Sequence, residues 1–250
     1  MNASVVIDAL GLPANARLDQ RVPKTLLVEN GAPTAADKRQ IQNGIEELLW
    51  IAALKPSTIG VPAYGDSIRE YLEIAVLSLK LRPATKGARL RELIHRAIPY
   101  PVLLIQSEGS HVSLSLAHLR WSQGQARQTV LGGPLIIASL EAESSATSGF
   151  LTSLHVTRQP HDNLQAFYQG WIEQFEAYAA ARVTGSFAPS PDAVSAEQRR
   201  VALAEHERLT REIAALRARA AKESQINRLV EINHAIRERE SQLAAIQQDL

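Results

Sequence analysis

The sequence predicts an α/β (α+β) fold, a mixed β-sheet with flanking helices, followed by long C-terminal helices. Three observations predict it. A strand, a basic helix and two further strands succeed one another between Arg69 and Leu119. Gly185-Ser-Phe-Ala-Pro-Ser-Pro-Asp192 has the composition of a linker. Beyond it, Ser195 to Leu250 contains neither Gly nor Pro and is rich in Ala, Glu, Arg, Gln and Leu, as long helices are. The expected division is an α/β domain over 1–183, a linker over 184–194 and a helical arm over 195–250.

Taken in order, Met1–Gln20 reads as a short helix or extended lead-in. Thr25-Leu-Leu-Val28 reads as a strand entered through Pro23. Thr34-Ala-Ala-Asp37 is a helix start of the capping-box type, with an acid three residues after the cap. Ile41, Ile45, Leu48 and Leu49 carry that helix to about Ala53. Pro56 and Ile59-Gly-Val-Pro62 mark a loop. Glu70–Lys80 is apolar on both faces in its middle, which predicts a central strand closed by Arg82-Pro83. Lys86–Ala97 places Leu90, Leu93, Ile94 and Ala97 on one helical stripe. Pro99 and Pro101 force an extended path into the strand Val102–Gln106, and a turn over Ser107–Ser110 returns it through His111–His118. Trp121–Ala126 and Glu141–Gly149 read as loops, with strands at Gln128–Leu131 and Leu135–Leu140. A helix from about His161 to Arg182 carries a broad aromatic stripe, expected to pack on the sheet.

In the arm, Leu209, Ile213, Leu216 and Ala220 step by helical intervals. Leu229, Ile232, Ile236, Leu243, Ile246 and Leu250 form a second seam, with Arg239 in one core-type position. The seams change phase across Lys222–Arg228. That phase change predicts a coiled coil with a stutter or, preferably, an αα-hairpin. Either way the seam residues Leu209, Ile213, Leu216, Leu229, Ile232, Ile236, Leu243 and Ile246 form an interaction surface, since two such helices bury little by themselves.

Composition narrows the function classes. A hydrophobic fraction of 45% over 250 residues permits a substantial core. No run approaches the roughly 18 apolar residues of a membrane span. No basic-then-apolar leader opens the chain, and with Cys 0 thiolate-ligated zinc and disulfides are excluded; both features predict a cytoplasmic protein. Net charge is +1, but Met1–Val130 is richer in Lys and Arg than in acids and Leu131–Ser195 the reverse.

Candidate chemistry is sparse. Asp66, Glu70 and Glu73 sit where a metal-dependent nuclease carries its acids, but the expected lysine two residues on is Ala75, and a solvated strand end is the simpler reading. Ser113, Ser115 and His118 are close in sequence without a Gly-x-Ser-x-Gly elbow, so they read as packed, hydrogen-bonded residues. Neither a P-loop nor a dinucleotide fingerprint is present. Lys80, Arg82, Lys86, Arg89, Arg91 and Arg96 could hold phosphates without reading bases, or simply be a solvated helix face. Neither a metal nor a cofactor is expected.

Several segments follow one another in a familiar order: Gly11-Leu-Pro13, Arg21–Lys24, the Thr34–Trp50 helix, Glu70–Val76, Ile94-His-Arg-Ala-Ile-Pro-Tyr-Pro101, Ser115–His118 and Lys222–Asn233. Together they resemble a bacterial family catalogued as a domain of unknown function, over almost the whole chain. The resemblance implies a context beside Swi/Snf-type helicases and DNA methyltransferases in restriction or antiviral defence loci, and carries no catalytic residues across. The expected function is a non-enzymatic accessory subunit of such a DNA-targeting system. It would assemble through its C-terminal helices with a helicase or methyltransferase partner, or with itself, while its α/β domain docks on that partner or on DNA backbone. A divergent metal-dependent nuclease and a phosphate-backbone-binding module are the alternatives.

Overall fold

The chain, described over residues 1–122, 129–142, 144–247 and 250 in a computed structural model, opens with helix α1 (Ala3–Ala9), capped by the Asn2 side chain on the Val5 amide. Strand β1 (Arg17–Arg21) is exposed along its whole length. The strand expected at Thr25–Val28 is instead helix α2 (Lys24–Gly31), with Leu27 and Gly31 buried. Gly31 is at a close approach: an added Cβ would lie 2.7 Å from both the Ala97 Cβ and the Leu93 carbonyl oxygen. Packing against that later helix overrides the β-prone Thr-Leu-Leu-Val composition.

Helix α3 (Ala35–Gly44) begins as its capping pattern predicts, Thr34 Oγ1 accepting from the Asp37 amide at 3.1 Å. It stops at Gly44 rather than near Ala53, and Ile45–Leu54 form strand β2. From Leu48 to Leu54 every residue is apolar, a pattern that buried helices and buried strands share. Pairing with β1 on one side and β5 on the other makes it a strand. A single helical turn, α4 (Pro56–Ile59), lies where a loop is expected. Short strands β3 (Tyr64–Gly65) and β4 (Glu70–Tyr71) pair with each other. The expected strand Glu70–Lys80 is therefore interrupted, because Leu72 turns outward and Glu73 reaches Lys55 at 3.0 Å; it resumes as β5 (Ile74–Leu81).

Helix α5 (Gly87–Ala97), β6 (Val102–Glu108) and β7 (His111–Leu116) follow the expected order. Gly109, at φ +59, makes the tight turn between the last two. Strands β8 (Leu119–Trp121) and β9 (Thr129–Leu131) form a separate ladder. Trp121 thus belongs to a strand rather than a loop, while 123–126 of that expected loop and Gln128 of the expected strand lie outside the described residues. Strand β10 (Ile136–Ser139) is followed by α6 (Ser145–Ser153), which takes the second half of the loop expected at Glu141–Gly149. Buried Phe150 and Leu151, just past that polar stretch, anchor it. Helix α7 (Leu164–Thr184) is capped by Asn163 on the Ala166 amide.

Among the described residues the main sheet is six-stranded, ordered β1-β2-β5-β6-β7-β10. Its one parallel pair, β5–β6, is joined by α5, as a parallel connection requires. Leu77, Leu79 and Leu104 pack with Leu27, Ile41, Leu90 and Leu93 of α2, α3 and α5 in one apolar cluster. The opposite side chains, Ile74, Val76, Leu103 and Ile105, are equally buried. There α1 lies on β6, and the Tyr168 hydroxyl accepts from the Ala117 amide and donates to the Val102 carbonyl at 2.8 Å. The result is a mixed α+β fold with a C-terminal run of long helices.

The chain divides into two compact units, Met1–Phe175 and Glu176–Leu250. In the second, α8 (Ala193–Ala220), capped by Asp192 on the Ser195 amide, turns at Ala221–Gln225 into α9 (Ile226–Ile246). The two helices pack against each other as a hairpin. Arg217 meets Glu240 at 2.7 Å, and Arg239, the polar residue in the second seam, reaches Glu212 at 3.1 Å.

Candidate functional site

The basic residues of α5 and its approach do not form one free face. Lys80 pairs with Glu46 at 2.7 Å, Arg89 with both Asp37 and Glu92 at 2.8 Å, and Arg96 with Glu92 at 2.6 Å. Arg91 turns inward, donating to Gln106 at 3.3 Å and to Ser113 at 3.0 Å. Arg82 and Lys86 are exposed and have no carboxylate partner among the described residues. The Arg89 guanidinium, with help from Thr34, holds the Asp37 carboxyl down at about 2. Asp37 therefore contributes stability above pH 3.8 that is lost as pH falls through about 2.

Beneath α5 runs a row of buried polar groups. His95, 1% exposed, meets Ser115 Oγ through Nε2 at 2.9 Å. Ser115 is wholly buried, so no substrate carbonyl reaches its hydroxyl, and the pair acts as a satisfied core contact. Of the three residues close in sequence, Ser113 serves Arg91 and Ser115 serves His95. His118 lies between the Tyr71 hydroxyl (2.5 Å) and Gln169 (3.0 Å).

Burial, and then the Arg91 charge, push the His95 imidazole down to about 3 from 6.5. The unfolded chain thus binds this proton more readily than the fold does. The His95 contribution is complete above pH 6.5 and falls, by up to about 1.4 kcal/mol per pH unit, as pH drops from 6.5 toward 3. His95→Gln is expected to lose less stability than the parent between pH 7 and pH 5 in urea unfolding. Equal losses would show that His95 protonates without leaving the fold.

The three carboxylates of the nuclease pattern are engaged separately. Asp66 accepts from the Ile68 and Arg69 amides at 2.7 Å and from the Tyr64 hydroxyl at 2.8 Å, the bonds that lower its pKa. Glu73 pairs with Lys55, and Glu70 borders a cleft on its own. Among the described residues no three His, Asp or Glu side chains are grouped to hold a metal ion.

Three adjoining clefts, which share lining residues and together form a groove, lie along the exposed side of α5. A cleft of about 650 Å³ is lined by Trp50, Tyr100 and Trp121 together with Asn30, Leu72 and Arg96. It shares Asn30, Arg96 and Thr129 with a cleft of about 450 Å³ that adds Arg120. That in turn shares Arg96, Arg120 and Leu131 with one of about 570 Å³ bounded by Gly132-Gly133-Pro134. Of the residues singled out in the sequence, the groove gathers Glu70 and Arg96. Trp50, Tyr100 and the adjacent Arg120-Trp121 come from β2, the segment after α5, and β8; no spacing in the sequence links these three places.

The hairpin carries a groove of its own, about 980 Å³, lined by Val194, Gln198, Val201, Ala202 and Glu205 of α8 and Ile246 of α9. Val194, Gln198, Val201 and Glu205 step by four, three and four along one helical stripe. Val194 is 68% exposed and Val201 61%. In the interaction seam Leu209, Ile213 and Ile236 are buried, while Leu216, Leu229, Ile232, Leu243 and Ile246 are half-buried.

Fold and surface define an α+β domain with a groove of aromatic and arginine side chains, carrying a helical hairpin. The chain belongs to the family described as "Domain of unknown function (DUF4391)", whose model matches residues 10–243. No curated protein and no solved structure matches it. No helix among the described residues is long and apolar enough to cross a membrane.

Proposed function

We propose that this protein is a non-enzymatic accessory subunit of a DNA-targeting restriction or antiviral defence system, assembling through its C-terminal helices. The observation that carries this reading is the exposed apolar stripe of α8, where Val194 and Val201 stand open beside Ile246. Exposed apolar surface at helical spacing accepts the apolar face of another helix. Glu197 and Glu205 on the rim are paired within α8 with Arg200 and Arg208, so what the stripe offers an occupant is apolar surface. The resemblance to a family found beside helicases and methyltransferases supplies the partner class, and a second copy of the chain is the other occupant the reading admits.

The test is co-purification of the tagged full chain from its native host, with a Swi/Snf-type helicase or DNA methyltransferase as the proposed companion, together with light scattering of the chain alone. A complex or a dimer is expected, weakened at least tenfold by Val201→Asp, a substitution too exposed to disturb the fold by more than about 0.5 kcal/mol. Association undiminished by Val201→Asp, or no association in either assay, overturns the assembly role. Cleavage or modification of DNA by the purified chain alone overturns the non-enzymatic one.

A further inference from the structure

We infer that the groove beside α5 binds single-stranded nucleic acid, stacking bases at its aromatic end and holding phosphates with Arg96 and Arg120. This inference rests on the groove's lining and does not depend on the hairpin.

Trp50 and Tyr100 pack by one side against the main apolar cluster and remain half-exposed on the other. The Trp50 indole is fixed by donating to the Ala52 carbonyl at 3.0 Å. The backbone of Trp121 is held where its amide donates to the Ile68 carbonyl at 2.8 Å. None of the three stacks on another described aromatic ring. Aromatic rings with a half-exposed face in a polar-rimmed cleft are platforms for a planar π-system, and every nucleobase offers one.

The charges give the groove a direction. Arg96 lines all three clefts and Arg120 two of them. Arg120 donates to the Trp121 carbonyl at 3.3 Å and has no carboxylate partner among the described residues, so most of its donors are free. Arg96 shares Glu92 with Arg89 and keeps further N–H groups beyond that pair. Glu70, at the aromatic end, repels phosphate but accepts from a base amino or imino group. Arg96, common to all three clefts, and Arg120, beyond the aromatic one, are therefore the phosphate contacts and the rings of the first cleft the base contacts, while Glu92, which lines the third, is paired with Arg89 and Arg96. A duplex keeps its bases stacked inside and cannot present them to the rings, so the ligand is a single strand. A proline-rich peptide also uses aromatic grooves, but its uncharged backbone has no use for two arginines in the lining.

Tryptophan emission of the full chain reads the proposal directly. Two of the three tryptophans, Trp50 and Trp121, line the groove, and the third, Trp171, is fully buried. A single-stranded oligothymidine is expected to quench that emission, while a duplex of equal length and thymidine monophosphate do so at least tenfold more weakly. Trp121→Ala is expected to weaken binding about 5- to 150-fold, the loss of one base–aromatic stack, and Trp121→Phe to restore most of it. Arg120→Gln is expected to reduce the slope of log affinity against log salt by about 0.7, one phosphate contact on a single strand. The inference is overturned by any one of the following results. These are the absence of quenching by the single strand, binding indifferent to both Trp121→Ala and Arg120→Gln, and quenching by an oligoproline peptide in place of the oligonucleotide. Monophosphate binding as tight as the strand's also overturns it, since the site would then take a free nucleotide.

Discussion

Leu104→Ala is expected to lower unfolding stability by about 2–5 kcal/mol, the range for truncating a fully buried leucine. Leu104 is 0% exposed on β6, opposite Leu77 in the parallel ladder and Ser115 in the antiparallel one. It sits in the apolar cluster that joins the sheet to α2, α3 and α5. The cavity it leaves is walled by strand backbone on two sides, which cannot move inward without breaking ladder bonds, so little collapse is available to reduce the cost. Urea unfolding of the full chain measures the loss. A value under about half a kcal/mol would place Leu104 outside the core.

Ile213→Asp is expected to cost about 3 kcal/mol or more within the hairpin, because it puts a carboxylate into the seam between α8 and α9. Ile213 is 5% exposed and Leu209, one turn earlier, is fully buried. The new charge would also lie beside Glu212, which already serves Arg208 and Arg239. Circular dichroism should show helix lost at a lower denaturant concentration than in the parent, with sheet and near-ultraviolet signals retained. Helicity and midpoint unchanged would remove the seam from the structure.

What the sequence disclosed follows the reach of its signals. The β5-α5-β6-β7 succession was legible because each element carries its own period and is punctuated by Pro83, Pro99, Pro101 and Gly109. The turn between α8 and α9 was legible as a phase change in one residue set. The misread segments are those where partners decide. Thr25–Val28 becomes helical where Gly31 docks on α5, and the apolar run of β2 suits either structure until β1 and β5 flank it. The polar β1 and the half of α6 that holds Phe150 lacked any local period to find. For the groove, Arg96 was visible as one cation among six, whereas its companions Trp50, Tyr100, Arg120 and Trp121 are brought together only by the sheet and the β8–β9 ladder. Dense charge was a poor guide in itself, because Lys80, Arg89 and Arg96 are each answered by a carboxylate and Arg91 by core polar groups.

The two edges of the main sheet differ in what they would accept. At β1 the register shifts between Arg17 and Gln20, Asp19 adopts φ +48, and Arg17 pairs with Asp19 at 2.9 Å. A bent, charged edge of this kind offers no straight row of amides and carbonyls to an incoming strand. At the other edge β10 is regular against β7, with Ile137 45% exposed and no bulge. Unwanted strand addition, the route by which β-proteins polymerise, is thus closed at β1 and guarded at β10 by little more than its four-residue length. Lengthening β10 with β-branched residues would therefore turn that edge into a template, while the same insertion at β1 would still meet a bulge and an ion pair.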